Sequence, residues 1–118
     1  MLRTMMKSKL HGAHITQAEL HYAGSITIDL NLMQAADLLD GERVQIVNMQ
    51  NGSRIETYVI EGEAGSGVIC LNGPAARSAA VGDVVHIISY CMVDDAEAAG
   101  LKQRVVILGD ANEVLEGK

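Results

Sequence analysis

Leu20-His21-Tyr22-Ala23-Gly24-Ser25-Ile26-Thr27-Ile28-Asp29 reads as two short extended segments that meet at Gly24-Ser25. Ser25-Ile26-Thr27-Ile28 alternates polar and apolar residues, and three of its four residues are β-branched, which predicts a strand. Gly24 reaches backbone angles closed to other residues and suits a tight turn before that strand. Working outward, the same pattern recurs. Residues 42–49 and 53–61 alternate on either side of Asn51-Gly52, a pair that favours a type I′ hairpin. Residues 68–71, 84–90 and 104–109 are short, strongly apolar strands. The chain therefore reads as six or seven short strands with two or three helical pieces, no repeats and no long linker. That organisation is mainly β and suits a small β-barrel.

The remaining stretches fill in the connections. Residues 1–9 mix basic and apolar side chains and suit an edge strand or a packing arm. Thr16-Gln17-Ala18-Glu19 fits a capping box and predicts a one-turn helix. Residues 31–39 form the best helix candidate, with Asn31 as cap, a stripe of Leu32, Ala35, Ala36 and Leu39, and Asp40-Gly41 as its end. Residues 72–76 make a turn of small residues around the only proline, Pro74, and lead into a short helical segment. Residues 94–100 predict another short helix, and the polar tail after Asp110 is expected to be partly ordered.

At 118 residues the chain has the size of one domain. Hydrophobic residues make up 48% of it, yet it contains no Phe and no Trp, so the core must be aliphatic. A net charge of −6 argues against a nucleic-acid footprint and against an anionic membrane surface. Arg3, Lys7 and Lys9 still offer a local basic patch. Cys70 and Cys91 sit in apolar runs and read as buried free thiols. No secretory signal and no run of membrane-spanning length is present, which points to the cytoplasm.

Three features carry chemistry. Ser25 places a hydroxyl beside the carbonyl of Gly24, which has no side chain to block attack. The hydroxyl can shift the chain from amide to ester, and elimination then leaves a dehydroalanine that hydrolyses to a pyruvoyl group. By itself Gly24-Ser25 reads as a turn, as do Gly52-Ser53 and Gly65-Ser66. In the strand after Asn51-Gly52, Arg54 and Tyr58 share one face, about 13 Å apart, while Thr57 faces the other way. Service of Thr57 and Tyr58 in one site requires a bulge, a strand end or two chains. His11 and His14 lie three apart, but Gly12, Ile15 and Thr16 disfavour a helix there and no third ligand is at hand, so no metal site is assigned.

Tyr22-x-Gly24-Ser25, preceded by Lys9-x-His11, resembles the N-terminal region of the bacterial aspartate α-decarboxylases, a pyruvoyl-dependent family. Asn51-Gly52 with Arg54, then Thr57-Tyr58, Asn72-Gly73 and Val81-Gly82-Asp83, follow in that family's order and spacing, so the resemblance covers nearly the whole chain. It implies a double-psi β-barrel and self-cleavage between Gly24 and Ser25 into residues 1–24 and 25–118. It implies decarboxylation of L-aspartate to β-alanine and CO₂ for pantothenate synthesis, through a Schiff base on a pyruvoyl group made from Ser25, with no metal and no pyridoxal phosphate. Tyr58 would be the proton donor and Thr57 would bind the Gly24 carbonyl oxygen during cleavage. Lys9, Arg54, Thr57, Asn72, Gly73, Pro74 and Ala75 would bind substrate, with His11 and Tyr22 nearby. A homotetramer of processed protomers is implied as well, and the family admits a maturation factor. Pro74 stands where the family often has alanine and Arg77 where it often has histidine, changes that bear on pocket shape rather than on the core chemistry.

Two other readings compete. A serine or cysteine hydrolase would leave the chain uncleaved, and no nucleophile-elbow pattern supports it. A non-catalytic barrel serving binding or assembly would keep Gly24-Ser25 as an ordinary turn.

Overall fold

The computed structural model describes residues 1–21 and 24–117. Among the described residues, nine strands run in the order β1 (Leu2–His14), β2 (Gln17–Glu19), β3 (Ser25–Asp29), β4 (Arg43–Asn48), β5 (Arg54–Gly62), β6 (Ile69–Asn72), β7 (Val84–Asp94), β8 (Arg104–Leu108) and β9 (Val114–Gly117). Helix α1 (Leu30–Ala35), a 3₁₀ helix (Gly73–Ser78) and helix α2 (Asp95–Ala98) interrupt them. The strands lie in the order β2-β6-β3-β5-β4-β7-β1-β8-β9. β1–β8, β2–β6 and β3–β5 pair in parallel, and the other neighbours are antiparallel.

The sheet curls back on itself. Thr16, just past β1, bonds with its backbone N–H and its hydroxyl to the Ile69 carbonyl, and its hydroxyl accepts from the Ile69 amide. Asn112 donates to the carbonyls of His14 and Gly67 and accepts from the His14 amide. Strands far apart in the sheet order are thereby joined, which gives a small barrel. Its interior is aliphatic, as the composition requires: Leu10, Ile26, Ile28, Val59, Ile69, Leu71, Val85, Ile87 and Val106 are fully enclosed. Ile26 and Ile28 come from the opening stretch, so β3 runs through the middle of the core.

Several local expectations change. Residues 17–19 form a strand rather than a helical turn, because the Thr16 hydroxyl is engaged by Ile69 instead of capping a helix. The cap of α1 is Asp29, whose carboxylate accepts from the Asn31 amide, and not Asn31 itself. That helix ends at Ala36, before Asp40-Gly41. Asp37 takes φ 54°, a position usually given to glycine, and the Leu38 amide reaches back to the Met33 carbonyl. Leu39 is consequently 72% exposed and drops out of the predicted stripe. At Asn51-Gly52 only the glycine has positive φ, so the hairpin is not type I′. The N-terminal stretch is an edge in its first half, where residues 2–6 pair with β7 alone, and becomes an inner strand where β8 joins it at residues 8–11. The tail is more ordered than expected, since β9 pairs with β8.

Asp29 holds the far end of β3. Its buried carboxylate accepts from the amides of Asn31, Gly65 and Gly67 at 2.7, 3.0 and 2.8 Å. Burial alone would raise its pKa, but amide bonds from Gly67, Gly65, Asn31 and Leu32 outweigh it and hold the group below the ordinary 3.8. The sign follows: a depressed folded pKa contributes stability above the unfolded value, and that stability is lost as pH falls through the folded one. Asp29→Asn is expected to cost about 2 kcal/mol at neutral pH. The deficit should shrink towards acid in urea unfolding measured at pH 7 and below pH 4. An equal deficit at both pH values would show that the charge is not what matters.

Candidate active site

Ser25 opens β3, opposite Asn72 in the antiparallel register with β6. It is only 1% exposed. The Asn72 side-chain amide donates to Ser25 Oγ at 2.9 Å and to Thr27 Oγ1 at 3.0 Å. Cys70 Sγ lies 3.3 Å from Asn72 Oδ1 and donates to it. Two hollows flank the Gly24-Ser25 junction. A cavity of about 270 Å³ is lined by Gly24, Thr57, Pro74 and Ala75, with Ile55, Glu56 and Ser78 completing it. A groove of about 490 Å³ is lined by Ser25, Thr27, Cys70 and Asn72, with Gln17, Glu19 and Ile60. The groove is on the scale of small-molecule sites, and the cavity is slightly smaller.

The chain builds this geometry locally. Gly73 takes φ 64° and turns the end of β6 into the 3₁₀ helix, where Pro74 needs no amide partner. A side chain at position 24 would begin 3.7 Å from Pro74 Cδ, so the small residues at 24 and 73–75 keep the cavity open. Thr57 faces the cavity because β5 alternates: Ile55, Thr57 and Val59 turn inward, while Arg54, Glu56, Tyr58 and Ile60 are exposed.

The structure thus gathers Gly24, Ser25, Thr57, Asn72, Gly73, Pro74 and Ala75. It does not bring Tyr58, Arg54, Lys9 or His11 to them within one chain. Tyr58 is 40% exposed on the opposite face of β5. Arg54 Nη1 shares that face and donates to Gln45 Oε1 at 2.6 Å, which also accepts from the Tyr90 hydroxyl. Lys9 and His11 stand on β1, separated from β3 in the sheet by β5, β4 and β7, and line neither hollow. His11 stacks on His86 with ring centroids 4.0 Å apart. The His86 pKa is lowered by burial, then by the neighbouring His11 and Lys9, and its Nδ1 accepts from the Gly12 amide. Tyr22 lies outside the described residues.

Sequence reasoning missed Thr27 and Cys70. Thr27 was findable, because a period of two puts it on the face of Ser25. Cys70 was not, since its place follows from the β3–β6 register. Among the described residues no group of three or more His, Cys, Asp or Glu could hold a metal ion, and no helix is long and apolar enough to cross a membrane.

Fold and site together define a small, mainly β protein with a buried serine behind a glycine, between two hollows. Residues 1–115 match the model of the family described as aspartate decarboxylase, and the chain belongs to that family. It is 57% identical over 116 residues to the aspartate 1-decarboxylase of Shouchella clausii strain KSM-K16, an alignment covering 98% of this chain and 91% of that one. Identity to the aspartate 1-decarboxylase of Thermoanaerobacter pseudethanolicus is 55%, covering 96% and 97%. For that of Listeria monocytogenes serovar 1/2a it is 56%, covering 97% and 90%.

Proposed function

We infer that the protein decarboxylates L-aspartate to β-alanine and CO₂, feeding pantothenate synthesis in the cytoplasm, through a pyruvoyl group made from its own Ser25. The observation that carries this is the junction itself: a buried serine hydroxyl held by Asn72, with Gly24 open to the cavity that Thr57 lines. Ser25 Oγ attacks the Gly24 carbonyl carbon, the Gly24–Ser25 C–N bond breaks, and the nitrogen takes up a proton. Thr57 donates to the oxygen that carries charge during that attack. Loss of the Ser25 Cα proton then breaks Cβ–Oγ and leaves Oγ on the Gly24 carboxylate. Water replaces the freed nitrogen as ammonia, giving chains 1–24 and 25–118.

The pyruvoyl group supplies a carbonyl that captures the substrate amine and accepts the electron pair left by CO₂. Around it, Arg54 offers a planar fork for a substrate carboxylate, and Lys9 a second positive charge. Tyr58 donates the proton that carbon requires. Asn72, Gly73, Pro74 and Ala75 shape the pocket. Arg54, Tyr58, Lys9 and His11 act across a subunit boundary, in a homotetramer where the exposed face of β5 meets the hollows of a neighbour. The outward face of Arg54 and Tyr58, and the exposed Ile60, Met49 and Met92, support that assembly.

Incubation with L-aspartate and cyanoborohydride tests the chemistry. Chain 25–118 should gain the mass of a substrate- or product-derived amine while chain 1–24 stays unchanged. Formation of β-alanine by a chain that takes up no such label would overturn the mechanism.

A further inference from the structure

Ser25 and Thr27 lie two residues apart on one face of β3, and Asn72 and Cys70 stand directly opposite them on β6. The four side chains form one connected set, with the Asn72 amide at its centre. Both hydrogens of Asn72 Nδ2 are used, one on Ser25 Oγ and one on Thr27 Oγ1. Its Oδ1 accepts from the Cys70 thiol. A half-turn of this amide would set its NH₂ against the thiol sulfur, a weak acceptor, and its carbonyl against the hydroxyls, so the S–H donated to Oδ1 favours the orientation that points the N–H groups at Ser25 and Thr27. Burial, and after it the Glu19 carboxylate, push the Cys70 pKa up, which keeps the group a protonated donor.

We propose that Thr27 and Cys70 are positioning residues for pyruvoyl formation, holding the Asn72 amide with its N–H on Ser25 Oγ. The inference rests on self-processing at Ser25. Held this way, Ser25 Oγ accepts from Asn72 and keeps its own proton free to leave as it attacks Gly24. The same N–H then serves the elimination. As the Cβ–Oγ bond breaks, negative charge collects on Oγ within the Gly24 carboxylate, and the Asn72 donor already points at that oxygen. An amide free to rotate would lose both effects while the barrel stays intact.

The test compares Thr27→Val, Thr27→Ser, Cys70→Val and Cys70→Ser with wild type. Precursors are isolated cold, warmed, and weighed intact under denaturing conditions over time, with melting temperatures taken in parallel. Thr27→Val and Cys70→Val should cleave ~10-fold more slowly or worse, and the serine variants, which keep a donor or acceptor, should stay within about twofold of wild type. Hydroxylamine added midway should release, from the valine variants, a 25–118 chain heavier than the pyruvoyl form by the mass of ammonia, the mark of a stalled ester. Where valine does not fit, alanine takes its place against the same serine variant. Valine variants that cleave at the wild-type rate would overturn the proposal while leaving self-processing intact. A wild type that never cleaves would overturn both.

Discussion

Ser25→Ala is expected to remain a single uncleaved chain of 12.6 kDa, to fold, and to lose aspartate decarboxylation by ~10⁴-fold or more. The size of the loss follows from the chemistry: without Oγ there is no attack on Gly24, and without the pyruvoyl carbonyl nothing in the chain captures the substrate amine. The fold survives because little else depends on the hydroxyl. Ser25 Oγ takes one hydrogen bond from Asn72, and that amide keeps Thr27 and Cys70 as partners. The loss of one such bond costs about 1 kcal/mol. Intact mass and a β-alanine assay on the same sample check the result. Normal turnover by this variant would end the assignment of Ser25.

Tyr58→Phe is the complementary case. This variant should be cleaved like wild type, because Tyr58 points away from the Gly24 cavity and takes no part in the attack. Its kcat should fall by ~10² to 10⁴-fold, the range for loss of a positioned proton donor, with KM little changed. The ring that pairs across from Arg43 is retained, so β5 and its register are undisturbed. The two variants separate the making of the electrophile from its use. Full kcat in Tyr58→Phe would move the donor role to another residue.

Much of the barrel was legible because its strands announce themselves by period. Residues 25–29, 43–48, 54–62, 69–72, 84–94 and 104–108 form the strands that alternation and apolar runs predict. What failed was local chemistry whose partner lies elsewhere in the chain. Thr16 looks like a helix cap until Ile69 claims its hydroxyl. Asn31 looks like a cap until Asp29, one residue before α1, supplies the carboxylate. The pairing of residues 8–11 with β8 and that of β9 depend on register across the sheet, which no local pattern carries.

The candidate site divides in the same way. Gly24, Ser25 and Thr57 were placed by sequence pattern and resemblance, and the fold brings them to one junction. The opposed faces of Thr57 and Tyr58 were also visible in the alternation of β5, and they persist in the folded chain. The Cys70–Asn72–Thr27 set was not visible, because it is a cross-strand arrangement in three dimensions.

The intact mass of the purified protein under denaturing conditions tests the central claim most directly. Self-processing predicts two chains, residues 1–24 and residues 25–118, the second lacking a free amino terminus and carrying a ketone that reacts with hydrazide. A single 12.6 kDa chain that stays whole after prolonged warm incubation, yet still converts aspartate to β-alanine, would contradict it.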